Sequence, residues 1–352
     1  ITASGERVAQ PMQVMLRIRP SEVVAAPRWR GQLCIHATAK DAIAIAAPEG
    51  SQGYKNGDRG QSYTFSQVFG PDTDQDEYFQ ATTAPMVVEL AHSQTPFASV
   101  IMAYGITASG KTHTIQGVAS NPGVLPRALD LLFKAKDGST AVDVSHYEVY
   151  NEQVYDLLGQ GAGGRAQVKV KENATGHIFI AGLSKERVST TEEALGVLHR
   201  GSRHRQRAGT ALNQQSSRSH TIFTISLTRA GDQHRAAVPE GADPGEEGRL
   251  GQLSFVDLAG AERANRTGNA GKRLKESVSI NSSLMTLGRC MEALRWNQRH
   301  PEAEPKLVPY RESKVTHIFR DVLHGWGRLV LSVCVSPAAA DYDETHRVLK
   351  YA

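Results

Sequence analysis

A phosphate-binding loop at residues 105–112 restricts this chain to a small set of folds. The segment reads Gly-Ile-Thr-Ala-Ser-Gly-Lys-Thr and matches the GxxxxGK[ST] pattern without a gap. The backbone N–H groups of such a loop cradle a triphosphate, its lysine reaches the outer phosphates, and its threonine hydroxyl coordinates Mg²⁺. The motif therefore predicts a nucleotide-binding α/β protein.

The flanking residues support this interpretation. An apolar run at 97–104 leads directly into Gly105. We therefore expect a strand before the loop and a helix after it, with the helix N-terminus facing the phosphate. An ordinary glycine turn would also account for the glycines, but it would not require the strand before them.

The composition excludes several classes of protein. Of the 352 residues, 40% are hydrophobic and 22% are charged, which is typical of a folded globular protein. No apolar stretch approaches the roughly 20 residues that span a bilayer. Three irregularly spaced cysteines predict neither a disulfide framework nor a metal site. We therefore expect a cytoplasmic protein with reduced thiols and no membrane association, and its net charge of +4 neither demands nor excludes an acidic partner.

Hydrophobic periodicity predicts strands and helices in one domain without internal repeats. Strands are expected at 13–19, 143–150, 222–227, 250–258 and 329–335, and helices at 77–91, 123–136, 191–201 and 279–297. Pro85 should kink the first helix or mark its start. Apolar residues within 279–297 recur in steps of four and three, which fits a coiled-coil seam or a helix on a core. The small number of heptads favours the helix on a core.

Two further segments carry residues suited to phosphate chemistry. In Asn213-Gln-Gln-Ser-Ser-Arg-Ser-His220, short hydroxyls surround one arginine and can complete a Mg²⁺ shell or hold a water near the γ-phosphate. A solvated polar loop is the alternative. Asp257-Leu-Ala-Gly-Ala-Glu262 directly follows an apolar strand. Its aspartate can orient Mg²⁺, and its glycine N–H can bond a γ-phosphate oxygen only when one is present.

In this order, the three motifs resemble those of the kinesin motor domain, and the resemblance runs from about Val14 to Ala352. Other stretches stand where that family has them: Arg17-Ile-Arg19-Pro20, Tyr147-Glu-Val-Tyr-Asn-Glu152, Ile280-Asn-Ser-Ser-Leu284, Pro309-Tyr-Arg-Glu-Ser-Lys314 and Ser336-Pro337.

The resemblance implies an α/β P-loop NTPase fold with a central, mostly parallel sheet of eight strands and helices on both faces. It also implies ATP hydrolysis coupled to microtubule binding, with ATP or ADP and Mg²⁺ as ligands. Residues 1–11 are expected to be an N-terminal extension, and residues 12–352 the motor domain, ending within its last helix.

The family's functional residues transfer to matching positions of this chain. Nucleotide contacts are expected from Arg17, Arg19, Pro20, Tyr104, Gly105, Thr107, Ser109, Gly110, Lys111, Thr112 and His113, of which Arg17, Arg19, Pro20, Tyr104 and His113 would frame the adenine. Thr112 and Ser217 would be Mg²⁺-side hydroxyls, with Asp257 in the outer shell. The expected catalytic group is Asn213, Ser216, Arg218, Gly260 and Glu262. Ser216 and Gly260 would contact the γ-phosphate or its water. Arg218 and Glu262 would form the salt bridge that closes the site.

No side chain in these motifs has the setting of a strong general base. Positioning and charge stabilisation are therefore expected to carry catalysis. Ile106 and Ala108 depart from the family pattern, since many kinesins have Gln and Gly there. Loss of the Gln is expected to remove a polar contact near the nucleotide and to change its exchange rate.

Basic residues cluster in two places after the last motif. The first set is Arg266, Lys272, Arg273 and Lys275, and the second is Lys306, Arg311 and Lys314. In kinesins the corresponding surface faces tubulin, which is acidic, so these residues are expected to bind microtubules in a salt-sensitive manner. A solvated charged face is the alternative for any single residue.

Within the family, residues 105–117, 266–276 and 287–294 look most like the mitotic kinesin-like motors of the central spindle and cytokinesis. This likeness implies a cytoskeletal, spindle-associated protein, and a coiled-coil dimer is expected at full length. One alternative is a kinesin-like protein that binds microtubules without productive motility. Another is an unrelated P-loop kinase or GTPase, although no guanine-reading Asn-Lys-x-Asp follows. No nucleic-acid partner is expected, because the basic clusters lack interleaved aromatic residues.

Overall fold

The computed structural model describes residues 12–20, 32–93, 97–159, 161, 165–174, 176–208, 218–229, 249–262 and 272–352, with backbone alone for 208, 249 and 272–278. The strands are β1 Gln13–Ile18, β2 Ile35–Ala37, β3 Ala42–Ile45, β4 Gln61–Thr64, β5 Gln67–Phe69, β6 Ala98–Tyr104, β7 Gly117–Val118, β8 Asn121–Pro122, β9 Thr140–Tyr150, β10 Gln153–Asp156, β11 Ala166–Glu172, β12 Ile178–Ala181, β13 Glu186–Val188, β14 His220–Arg229, β15 Arg249–Asp257 and β16 Gly327–Val335. The helices are α1 Gln52–Lys55, α2 Gln75–Thr82, α3 Ala84–Ala91, α4 Lys111–Ile115, α5 Val124–Ala135, α6 Thr191–Ala208, α7 Lys272–Arg299, α8 Lys314–Ile318, α9 Arg320–Leu323 and α10 Tyr342–Tyr351, with short 3₁₀ helices at Tyr310–Glu312 and Ala339–Asp341.

A large mixed sheet organises the described part of the chain. Its main path runs β12-β11-β10-β9-β14-β15-β6-β16-β1-β5, and β13 pairs with β9. The strands β15, β6, β16, β1 and β5 are parallel neighbours, whereas β9 to β14 pair in antiparallel fashion. The predicted α/β class is confirmed. The expected count of eight strands is too low, because the described residues place eleven strands in this sheet.

Helices cover both faces of the sheet because its central strands are apolar on both sides. Along β6, Val100 and Met102 belong to one core cluster, and Ile101 and Ala103 belong to the other. Helices α2, α3, α5 and α6 pack into the second cluster, and α7 to α10 pack into the first. The P-loop strand therefore lies in the middle of three layers, where its carboxyl end is held rigidly.

Most predicted elements are present, with different bounds. The predicted helix 77–91 is two helices, α2 and α3, which meet at Thr83, and Pro85 lies in the first turn of the second. The helix predicted at 279–297 is longer at both ends, and it packs on the core through Ile280, Leu284 and Leu287.

All three cysteines are buried and free, as expected for reduced thiols. Among the described helices, none combines the length and the apolarity that crossing a bilayer requires.

Candidate nucleotide-binding site

The P-loop has the strand, loop and helix order that its motif predicts. Gly105 follows β6 with φ +152°, and a Cβ there would lie 2.2 Å from the carbonyl oxygen of Cys334 on β16. Gly110, at φ +104°, begins α4. The positive φ favours glycine at both positions, and the close backbone approach also excludes a side chain at Gly105. Ala108 also has a positive φ, +63°, although it is not a glycine. This conformation costs a non-glycine residue roughly 1–2 kcal/mol.

The ammonium group of Lys111 is buried inside the loop. Its Nζ donates hydrogen bonds to the carbonyl oxygens of Gly105 (3.0 Å) and Ile106 (2.8 Å). Burial lowers the pKa of Lys111, while the charges of Asp257 and Glu262 oppose that shift. A buried cation of this kind is stabilised by an anion beside it, so the loop has the electrostatics of a phosphate site.

The groups suited to Mg²⁺ meet where two parallel strands end. Asp257 closes β15 in register with Ala103 of β6, and its Oδ2 accepts a 2.6 Å hydrogen bond from the Thr112 hydroxyl. Within the described residues, no cluster of three or more His, Cys, Asp or Glu forms a protein cage for a metal. A hydroxyl backed by a carboxylate suits Mg²⁺, which usually keeps waters and binds with substrate phosphates. Ser217, the second predicted hydroxyl, lies outside the described residues, as do Asn213 and Ser216.

A cavity of about 650 Å³ opens beside the loop. Its lining includes the predicted residues Arg17, Arg19, Pro20, Ser109, Gly110, Lys111, Thr112 and His113, together with Thr73, Asp74 and Gln75 from the start of α2. Burial and the nearby Arg17 lower the pKa of His113, so a neutral imidazole faces the cavity at pH 7. The size of this cavity and its mixed lining suit an adenine nucleotide.

Arg17 lines the cavity and is held in place by neighbouring side chains. Its guanidinium lies 4.5 Å from the ring centroid of Tyr78 and donates to Gln75 Oε1 (2.7 Å) and Thr114 Oγ1 (3.2 Å). Gln75 in turn donates to the carbonyl oxygen of His113 at 2.7 Å. The fully buried Gln75 thus joins β1 to α4. Sequence reasoning missed Gln75, because a polar residue at a helix start carries no signal of such a role.

Arg19 and Tyr104 are both predicted to contact the adenine, and the structure places them in different surroundings. Arg19 donates to the carbonyl oxygen of Ala108 at 2.5 Å, so it holds the loop where φ is positive. Tyr104 lies on the opposite face of the sheet, in the core cluster that contains Met102, whereas Cys334 of the cavity belongs to the other cluster. Tyr104 is absent from the lining of this cavity, and the adenine contact predicted for it stays a prediction.

The segment 257–262 lies along the P-loop. Backbone N–H groups of Leu258 and Ala261 donate to the carbonyl oxygens of Ala103 (3.1 Å) and Gly105 (3.2 Å). Glu262 accepts hydrogen bonds from the backbone N–H and the hydroxyl of Thr107. Glu262 and Gly260 therefore lie beside the loop. The γ-phosphate contact and the salt bridge predicted for them stay predictions. Gly105 and Thr107 face this segment and are not part of the cavity lining.

His220, the last residue of the motif 213–220, contacts both the segment 257–262 and α7. Its Nδ1 accepts a hydrogen bond from the N–H of Ala259 (3.1 Å), so its Nε2 carries the proton shared with Ser283 Oγ of α7 (2.9 Å). Burial, with Arg205 and Lys111 nearby, lowers the pKa of His220 to about 3. Sequence reasoning had assigned it no role, because its partner lies 63 residues away.

A buried ion cluster holds the backbone just after Arg218. Arg205 of α6 donates to the hydroxyl (2.8 Å) and carbonyl oxygen (3.0 Å) of Ser219. The fully buried Glu148 of β9 lies 3.5 Å from Arg205 and 3.0 Å from Arg165. These ions hold the backbone at Ser219, directly before β14 begins at His220.

The predicted microtubule-binding residues follow α7 or begin it. Lys306 exchanges two hydrogen bonds with Asn297, and its ammonium lies 4.7 Å from the ring centroid of Trp296. Arg311 pairs with Glu172 at 2.8 Å, and the backbone N–H of Lys314 donates to Glu152. Lys272, Arg273 and Lys275 lie in the first turn of α7, where only the backbone is described. Arg266 lies outside the described residues.

Comparisons with known proteins show which family the chain resembles. The sequence model of the kinesin motor domain family matches residues 28–352. Mouse kinesin-like protein KIF23 is 32% identical, with 99% of this chain and 43% of KIF23 covered. Human KIF7 is 38% identical, with 84% of this chain and 22% of KIF7 covered. The chain thus spans less than half the length of these relatives.

Solved structures match over nearly the whole chain. A structure described as kinesin 6 has a TM-score of 0.78 at 28% identity, covering 97% of this chain and 98% of that one. A microtubule-bound KIF14 dimer with AMP-PNP has a TM-score of 0.78 at 28% identity, covering 98% of this chain and 93% of that one.

Proposed function

Because the chain belongs to the kinesin motor domain family, we propose that it hydrolyses ATP and uses the energy to move along microtubules or to reorganise them. The observation that carries this proposal is the meeting of four groups at the ends of β6 and β15. They are the buried ammonium of Lys111, the hydroxyl of Thr112, the carboxylate of Asp257 that accepts its hydrogen bond, and the carboxylate of Glu262, which accepts hydrogen bonds from the P-loop. These are the parts that phosphoryl transfer requires.

The residues of the loop would hold and orient the substrate. Lys111 would exchange its carbonyl partners for β- and γ-phosphate oxygens, and the loop N–H groups would bind the remaining charge. Thr112 would ligate Mg²⁺, with Asp257 behind it, and the ion would neutralise charge that develops on the phosphates. Arg17, Gln75 and His113 would shape the adenine side.

Catalysis would depend on positioning. The two carboxylates beside the described part of the loop, Asp257 and Glu262, each accept a hydrogen bond from a threonine hydroxyl, so neither has the setting of a strong base. We propose that Gly260 binds the γ-phosphate through its N–H, that Ser216 orients the attacking water, and that Asn213 belongs to the same catalytic group. The salt bridge between Arg218 and Glu262 would close the site.

Movement of the segment 257–262 would reach the microtubule through α7. His220 contacts both that segment at Ala259 and the helix at Ser283, so a shift of one is felt by the other. We propose that α7 and the basic residues around it, from Arg266 to Lys314, form the microtubule surface. The KIF14 structure, solved in complex with a microtubule, supports microtubule binding as such.

Steady-state ATPase assays and microtubule co-sedimentation test the proposal. Microtubules should accelerate ATP hydrolysis, and binding should be tighter with AMP-PNP than with ADP. The affinity should also fall as salt is raised, because the proposed surface is basic. Equal affinity in both nucleotides would refute the proposed coupling. Tight binding without stimulated hydrolysis would favour the alternative of a microtubule-binding protein that lacks productive motility.

We also propose a role on the mitotic spindle. It is supported by the stretches 105–117, 266–276 and 287–294, which resemble mitotic kinesin-like motors. Imaging of the full-length protein in dividing cells would test it, and exclusion from the spindle would contradict it. The coiled-coil dimer and the absence of membrane and nucleic-acid partners stay predictions.

A further inference from the structure

The P-loop residue Thr107 contacts the Glu262 carboxylate through both of its donors. The backbone N–H of Thr107 donates to Oε2 at 2.9 Å, and its hydroxyl donates to Oε1 at 2.5 Å. Hydrogen bonds to an ionised group are about twice as strong as neutral ones. The two bonds act on different oxygens, so they fix the rotation of the carboxylate as well as its position.

Gly260 lies directly beneath this contact. A Cβ at position 260 would lie 2.3 Å and 2.6 Å from the two Glu262 oxygens and 2.4 Å from the Thr107 hydroxyl. The N–H of Ala261 also donates to the carbonyl oxygen of Gly105. The glutamate is thus enclosed by its own segment on one side and the P-loop on the other.

Among the described residues, the hydrogen bonds to this carboxylate come from Thr107, which leaves half of its acceptor sites available. Each carboxylate oxygen has two acceptor sites, and Thr107 uses one on each oxygen. The two remaining sites can accept the paired N–H groups of a guanidinium. We propose that Thr107 is a positioning residue that orients Glu262 for its salt bridge with Arg218. This inference rests on the proposed ATPase function, in which that salt bridge closes the site.

The role runs through Glu262 and not through the nucleotide. Thr107 is absent from the lining of the nucleotide cavity, whereas its neighbours Ala108 and Ser109 belong to it. A β-branched side chain also has few χ1 states, so its hydroxyl is held ready at little entropic cost.

Thr107→Val tests this role, because valine keeps the shape and removes the hydroxyl. We expect the microtubule-stimulated kcat to fall about tenfold, which corresponds to about 1.4 kcal/mol in the barrier, with the KM for ATP changed less than twofold. Thr107→Ser should restore most of the rate, since it restores the hydroxyl. A fall in kcat that serine does not rescue, or a change confined to KM, would contradict the proposal.

A double-mutant comparison with Glu262→Ala separates positioning from direct nucleotide contact. If Thr107 acts through Glu262, Thr107→Val should have no further effect on kcat in the Glu262→Ala background. A second tenfold loss in that background would show an independent role and overturn the inference.

A stability measurement keeps this inference distinct from the proposed function. If the wild-type protein shows no microtubule-stimulated hydrolysis, the proposed function fails, but the Thr107–Glu262 coupling can still be measured. Each single variant should lower the melting temperature by about 2 °C, and the double variant should lower it no further. Additive losses would refute the coupling.

Discussion

Gly260→Ala should fold like the wild type and lose at least about 100-fold of its microtubule-stimulated ATPase rate. The added methyl group would lie 2.3 Å from Glu262 Oε2 and 2.4 Å from Thr107 Oγ1, closer than such atoms can approach. Both contacts are ends of side chains, so they can rotate away without disturbing the sheet. The movement would separate Glu262 from Thr107 and shift the N–H proposed to sense the γ-phosphate. The loss should therefore appear in kcat, and the melting temperature should fall by only about 2 °C, as expected for loss of the Thr107–Glu262 contact.

Gly196→Ala is a matched control for this substitution. Gly196 lies within α6, and a Cβ there would have no neighbour within 4 Å. The same change should leave the ATPase rate unaltered and raise stability slightly, since alanine favours helix over glycine by roughly 1 kcal/mol. If Gly260→Ala kept the wild-type rate, crowding beside the P-loop could not be part of the mechanism.

The sequence predicted the parts of the site that follow from local pattern. The P-loop required a strand, two special glycines and a helix, and the structure has all three at Tyr104, Gly105, Gly110 and Lys111. Asp257 was placed at a strand end because an apolar run precedes it. Such features depend on near neighbours in the chain, so one sequence is enough to find them.

Contacts between distant segments could not be predicted in this way. Glu262 reaches Thr107 across 155 residues, and His220 reaches Ser283 across 63. Helix and strand periodicities relate residues only a few positions apart, so they give no sign of contacts over such distances. Strand alternation could have placed Tyr104 away from the cavity, but only once the cavity was known to lie on the face of Cys334.

Ile106 and Ala108 stand where many kinesins have Gln and Gly, and the structure shows what each residue contacts. The Ile106 side chain is buried in the core cluster, and its carbonyl oxygen accepts a hydrogen bond from Lys111. Its apolar character thus suits its environment, and the expected effect on nucleotide exchange stays a prediction. Ala108 keeps a positive φ while its carbonyl oxygen is held by Arg19. Part of the strain of the loop is therefore offset by Arg19, which directly follows β1.

Two buried histidines should make the fold sensitive to acid. His146 and His220 are fully buried, and desolvation together with the charge of Arg205 lowers the pKa of each to about 3, with Lys111 acting further on His220. In the unfolded chain both would titrate near 6.5. Their neutral forms therefore contribute full stability above pH 6.5, and that stability is lost as the pH falls toward 3. Each should remove about 2 kcal/mol from the free energy of unfolding between pH 7 and pH 5.

His146 allows this effect to be isolated, because it lies outside the nucleotide site. Its ring packs edge-on against Phe223, and a Cβ on Gly201 would lie 2.2 Å from its Nδ1, so a proton added there would find no acceptor in this packing. Urea unfolding gives the free energy of unfolding at pH 7 and at pH 5. Between these two values the two histidines should lower it by about 4 kcal/mol in the wild type. In His146→Leu the decrease should be smaller by about 2 kcal/mol. His199→Gln, at an exposed position of α6, should keep the wild-type dependence. An unchanged pH slope in His146→Leu would mean that the ring is not the group whose protonation opposes folding. The acid sensitivity would then have to come from His220 or from groups other than these two rings.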